Sequence, residues 1–358
     1  MPEDHLNNET SLSAELTETG VKAAANSRAI AAIDRLMGNV ADLGNAWIEG
    51  VTTRMRARSE GERLIIEAAA RYGIERIGQD QAFAERAFGN HFRRVVSQQL
   101  NKDAVVAEAL RDLRDQPPNE VEAISGPGSL SEEFLGRFES YSADASTEQL
   151  RERWGRILAS EIRTPGNFSS KVMRIVDELD ADTAALFERC VAYRSERVLV
   201  KPLLGDFSVL DRIALVSAGL LADPGIGGQS VTFAEQVLDG VECWVRRFGD
   251  IAIAVRKDVD FPRYAELALN GDRTPRCPVY ILTDAGFALS SILTSREDDV
   301  GVEFALHLQS MMSSDGLSLW KRKYRDQDLF VKIPMPNANQ KRRLSRAFRH
   351  HPQCSGPV

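Results

Sequence analysis

Three patterns in this chain could do chemistry, and the first is the stretch LRERWGRILASEIRTPGN, Leu150 to Asn167. Glu161 follows Trp154 by seven residues, which puts both near one face of a helix, and Thr164-Pro165-Gly166 then turns the chain. A carboxylate in that setting is a candidate general acid or base. The neighbouring sequence supplies no histidine or matched acid to complete a proton-transfer pair. Glu161 is therefore read as a partly buried carboxylate paired with Arg163 or a backbone amide, and the stretch as a helix-turn-helix hairpin.

The second pattern is a set of near-motifs. Gly225-Ile226-Gly227-Gly228 lacks the lysine and the preceding strand of a phosphate-binding loop and reads as a plain loop. Asp250 to Lys257 has the outline of a metal-dependent nuclease core, but Val255 stands where the second acid is needed. His350, His351 and Cys354 have metal-compatible spacing without a fourth ligand nearby. His91 and His307 read as packing or surface residues. No GxxxxGK[ST], GxSxG or HExxH motif occurs. No catalytic, cofactor or metal residue is assigned, and no small-molecule substrate is identified; an enzyme assembled from scattered residues such as Glu161 stays as an alternative.

The third pattern is charge. The chain carries a net charge of -7, yet Trp320 to His351 holds ten lysines and arginines against Asp326 and Asp328. A basic arm on an acidic body can meet nucleic acid, anionic lipid or an acidic partner. The candidate phosphate-contacting residues are Arg246 and Arg247 beside a hairpin turn, then Lys321, Arg322, Lys323, Lys341, Arg342 and Arg343 in the arm.

The elements that must position these residues follow from periodicity. Ile30, Ile33, Met37, Val40, Gly44, Trp47 and Val51 recur at alternating steps of three and four, the seam of a heptad helix that seeks a partner. Helical patterns continue over 60–80 and 81–115 until Pro117-Pro118, where the missing amide hydrogen ends them. Ser129 with Glu132 and Ser146 with Gln149 fit capping boxes, and Asp180 fits a helix cap. Phe207 to Leu221 reads as an amphipathic helix. CWVRRFGDIAIAV, Cys243 to Val255, reads as two strands about Phe248-Gly249-Asp250. In PVYILTDAGFALSSIL, Val279 to Leu282 is a strand, Thr283 a cap and Ala285 to Leu293 a helix. That order is winged-helix-like.

RWGRILASEIRTPGNFSSKVMRIVDELDADTAALF, VLDRIALVSAGLL and VYILTDAGFAL together resemble an uncharacterised bacterial family, the domain of unknown function numbered 2806, over Ile30 to Leu293. The architecture is also similar to the abortive-infection family Abi-alpha. That second resemblance implies a bacterial conflict role such as phage defence, and neither supplies catalytic residues to carry over.

The expected fold is mostly α with a small α+β part. It comprises a disordered lead (1–26), an N-terminal helical arm (27–116), a central helical domain (129–200), a winged-helix-like module (201–300) and a C-terminal extension with basic tail (301–358). No apolar run reaches the ~20 residues of a spanning helix, the first residues lack a signal pattern, and four scattered cysteines suggest neither disulfides nor zinc. A cytoplasmic location is expected. The expected function is a non-catalytic interaction or regulatory protein that forms a homo-oligomer, or binds a partner protein, through Ile30 to Val51. Nucleic-acid binding is the alternative, with a membrane surface ranked below both.

Overall fold

The computed structural model describes residues 23–37, 81–119, 121–122, 126–225, 227–259, 274–311, 316–324 and 327–335. The chain divides into two compact units, Met1–Asp177 and Glu178–Val358. The first is helical. It contains α1 (Ala23–Met37), α2 (Gln81–Asp115), α3 (Glu132–Ala143), α4 (Glu148–Arg163) and α5 (Ser170–Glu178).

In that unit α2 packs along α4, and α1 lies against α2, α3 and α4. The apolar stripe of α4 (Trp154, Ile157, Leu158, Ile162) is buried with Val105, Val106, Ala109 and Leu113 of α2 and Phe134 and Phe138 of α3. Trp154 is held between Phe138, edge-on at 5.8 Å, and Tyr141, stacked at 5.0 Å. Such aromatic contacts add to the area the rings bury. The close approach of α2 and α4 depends on Gly155, where a Cβ would sit 2.5 Å from the Glu108 Cβ and 3.0 Å from the Ala109 nitrogen.

Burial also moves two caps from their expected places. The first hydroxyl cap is Ser131, accepting from the Phe134 amide, and the second is Thr147, accepting from Leu150. Phe134 and Leu135 are the first buried residues of α3, and that onset fixes the first turn in preference to Ser129. Pro117-Pro118 does follow the end of α2, and Arg163 carries α4 to the turn at Pro165-Gly166 as expected. Helix α1 starts at Ala23, inside the stretch expected to be a disordered lead.

The second unit contains α6 (Ala181–Val191), β1 (Arg194–Ser195), β2 (Val198–Val200), α7 (Lys201–Leu204), α8 (Val209–Ser217), β3 (Gln229–Thr232), β4 (Ala234–Leu238), β5 (Val241–Phe248), β6 (Ile251–Arg256), β7 (Arg276–Ile281), α9 (Asp284–Ser291), α10 (Glu297–Met311), β8 (Leu317–Tyr324) and β9 (Gln327–Ile333). Its strands form two antiparallel sheets, ordered β1-β2-β7-β3 and β4-β5-β6-β8-β9. Asp180 caps α6 by accepting from the Thr183 amide at 2.8 Å, and Thr283 caps α9 through the Gly286 amide at 3.0 Å. Helix α10 packs on β5, β6 and β8. Phe248, Ile251, Ile253, Val255, Val300, Phe304, Leu308 and Leu319 form the core between them.

These sheets change the fold class from mostly α to mixed α+β. The hairpin at Gly249-Asp250 is as the sequence indicated, and its strands lie within the five-stranded sheet. β6 pairs onward with β8 (Ile251 to Lys321, Val255 to Leu317), so the first half of the basic tail is built into a sheet. A pairing between residues some 65 positions apart leaves no local signal in sequence. Phe207–Leu221 is likewise shorter than expected, as α8 starts after the Ser208 cap and ends at Ser217.

Candidate functional site

Glu161 is 3% exposed, and its carboxylate accepts the amides of Gly166 at 2.5 Å and Phe168 at 3.1 Å. Burial pushes its pKa up; the Gly166, Phe168 and Asn167 amides and the nearby Arg28 guanidinium pull it back down. Arg28 is fully buried and donates to the carbonyls of Ile162 (2.6 Å), Pro127 (3.0 Å), Glu122 (3.0 Å) and Arg163 (3.2 Å). Arg163 itself turns to Asp112 at 2.5 Å and is not the partner of Glu161. The pair therefore staples α1 and the Pro165-Gly166 turn to α4. Its acceptors and donors are engaged with backbone, which is a structural assignment and not that of a proton-transfer site.

The other near-motifs are also dispersed. Asp250 precedes β6 and Lys257 follows it, so they lie at opposite ends of one strand. Lys257 pairs with Glu235 at 2.9 Å and Glu242 at 3.6 Å. Exposed His91 meets Phe92 edge-on at 5.7 Å, while His307 lies against Phe304 at 6.4 Å. Among the described residues no group of three or more His, Cys, Asp or Glu side chains could hold a metal. His350, His351 and Cys354 lie outside them. Cys277 is buried and its thiol is pushed up to about 12, which removes it as a nucleophile near neutral pH.

The candidate nucleic-acid residues divide by strand face. Alternation along β5 puts Arg246 with Trp244 and Phe248 on the face packed by α10, and Arg247 on the other with Cys243 and Val245. Arg322 shares the Arg247 face, and the two guanidinium carbons lie 5.7 and 5.1 Å from the Phe330 ring centroid. Lys332 pairs across from Trp320 on that same face and is exposed. The Arg322 Nε has Asp250 at 3.9 Å, within ion-pair range but too far for a hydrogen bond, and is otherwise buried without a partner. Lys321 and Lys323 are exposed on β8; Lys341, Arg342 and Arg343 lie outside the described residues.

Of the expected oligomerisation seam, Ile33 is buried and Ile30 and Met37 are half-buried, in a helix packed against α2, α3 and α4 of its own chain. Val40, Trp47 and Val51 lie outside the described residues. A group of exposed apolar side chains sits on α8, where Leu210 is 77% and Ile213 54% exposed beside Val209.

One cationic groove was not singled out in the sequence. It has a volume of about 610 Å³ and is lined by Lys201, Asp206, Arg212, Arg276 and Tyr280, with Gly225, Gly227 and Gly228 on its rim. Lys201 pairs with Asp206 at 2.7 Å, and the Tyr280 hydroxyl accepts the Phe207 amide at 3.3 Å. Its sequence signal is split among residues some 75 positions apart, so the glycine run alone does not reveal it.

Fold and surfaces together define a two-unit α+β protein with clustered cationic side chains on its strand-rich unit. Residues 86–208 match the family described as protein of unknown function (DUF2806). The match runs from α2 to the loop before α8 and is narrower than the resemblance over Ile30 to Leu293; nothing in it supports the Abi-alpha likeness. No curated protein and no solved structure matches the chain. No helix among the described residues is long and apolar enough to cross a membrane.

Proposed function

We propose that this protein is a non-catalytic nucleic-acid-binding protein that holds the phosphate backbone at Arg247, Arg322 and Lys332 of its five-stranded sheet. The observation that carries the reading is the convergence of Arg247 and Arg322 on Phe330, with Lys332 alongside. An arginine plane laid on an aromatic ring is held flat, an orientation that suits contact with an oxyanion. The basic residues beyond the sheet, Lys341, Arg342 and Arg343, extend the positive charge in sequence. Phosphate contacts of this kind hold the backbone without reading sequence. Anisotropy of labelled duplex DNA and single-stranded RNA, titrated with the full chain, tests the class. Affinity falling steeply and log-linearly with salt supports it, and absent or salt-independent binding removes it.

A second reading, in which the partner is a protein surface, is favoured by the exposed Val209, Leu210 and Ile213 of α8. Neighbouring exposed apolar side chains on one helix are the usual mark of an interaction surface. Sedimentation equilibrium tests the case of self-association: Leu210→Asp would dissociate an oligomer held by this patch and leave one held elsewhere unchanged.

A further inference from the structure

We propose that the groove between Lys201, Arg212 and Arg276 binds a phosphoryl group carried by a soluble phosphorylated small molecule, independently of the sheet face. Several observations converge there. Alternation along β7 puts Arg276, Pro278 and Tyr280 on the groove side, while Cys277 and Val279 join the core, Val279 also touching the groove. The Nε of Arg276 is buried without any hydrogen-bond partner. A buried donor on a permanent cation is costly when no acceptor meets it, and an oxyanion in the groove supplies that acceptor.

Charge balance points the same way. Asp206, the one carboxylate among the described residues of the lining, is taken up by Lys201 at 2.7 Å. Arg212 lies close enough to Lys201 to act on it as a repelling like charge. Arg212 and Arg276 therefore face the groove uncompensated, which suits a polyanion better than a single carboxylate. On the rim, Gly225 and Gly228 have φ of +60° and +68°, and nothing lies within 4 Å of where a Cβ would stand. Their backbone is open to close approach by a ligand. The volume, about 610 Å³, is that of a site for a small molecule.

A phosphoryl group can also belong to a nucleic-acid backbone, so the experiment separates the two sources. Inorganic pyrophosphate is titrated calorimetrically into the full chain at fixed ionic strength, then into Arg276→Met and Arg212→Met, with circular dichroism as the check on folding. Saturable binding that weakens about tenfold in Arg276→Met is the expected result, that being the scale of one lost charge-assisted hydrogen bond. Should Arg276→Met fail to fold, the exposed Arg212→Met carries the test, with a loss of about threefold or more expected from one lost surface cation. No saturable binding to the wild type, or binding unchanged in a folded variant, overturns the proposal. Oligonucleotide affinity that stays at the wild-type level in the same variant supports the small-molecule source. If that affinity falls in parallel, the groove is part of a backbone track and the small-molecule assignment is overturned. A chain with Arg247 and Arg322 replaced should keep its pyrophosphate binding, so the two proposals fail separately.

Discussion

At the scale of single residues, Glu161 and Arg28 are two buried opposite charges that act on one another and whose polar atoms are met by backbone groups. Removing one member of such a pair costs far more than never having buried it, because the other is left charged and unmatched. Arg28→Met should therefore lose about 3 to 5 kcal/mol of stability in urea denaturation, whereas a surface substitution such as Leu210→Asp should stay within about 0.5 kcal/mol. Glu303 provides a pH test. Burial raises its pKa to about 7, and one of its carboxylate oxygens is buried without a hydrogen bond. Since the folded state holds the proton more tightly than the unfolded chain, this residue's contribution to stability is full below about pH 4.5 and declines as pH rises through about 7. Glu303→Gln should flatten that decline and raise the melting temperature at pH 8 more than at pH 4. An unchanged slope would show that Glu303 is not the group responsible. The amide cradle of Glu161 was legible in sequence because the Pro-Gly turn lies a few residues away. Arg28 was not, since its partners lie about 95 to 135 positions further along the chain.

Among the elements, legibility followed the range of the signal. The Asp180 and Thr283 caps, the end of α2 at Pro117-Pro118 and the turn at Gly249-Asp250 each depend on residues within one turn, and each was readable. The five-stranded sheet depends on β6 finding β8, with α10 packed across the same strands, and no local pattern records that pairing. Lys321, Arg322 and Lys323 consequently looked like a tail when they are a strand. The α2–α4 crossing offers an element-scale prediction. Gly155→Ala inserts a methyl group against Glu108 and Ala109 and should cost about 1 to 3 kcal/mol, the usual penalty of overpacking. The same replacement at Gly136, where nothing lies within 4 Å, should be stabilising by a few tenths to about 1 kcal/mol. Equal effects at the two glycines, measured by thermal unfolding, would contradict the close crossing.

For the molecule as a whole, the net charge of -7 conceals a positive surface on one sheet and a second in a groove of the same unit. The segment that matches the family, 86–208, stops before β5, β6, β8 and β9. It includes Lys201 and Asp206 but neither Arg276 nor Tyr280. The proposed binding face therefore lies outside the stretch that matches the family, and its function has to be tested on this chain directly. The most direct measurement is anisotropy of labelled single-stranded RNA with the wild type and with the Arg247→Ala, Arg322→Ala double variant, each at low and near-physiological salt. The proposal predicts weaker binding by the variant and a log-log salt slope about two units shallower, one for each phosphate contact removed. Equal affinity and equal slope for the two chains would contradict the assignment of the sheet face.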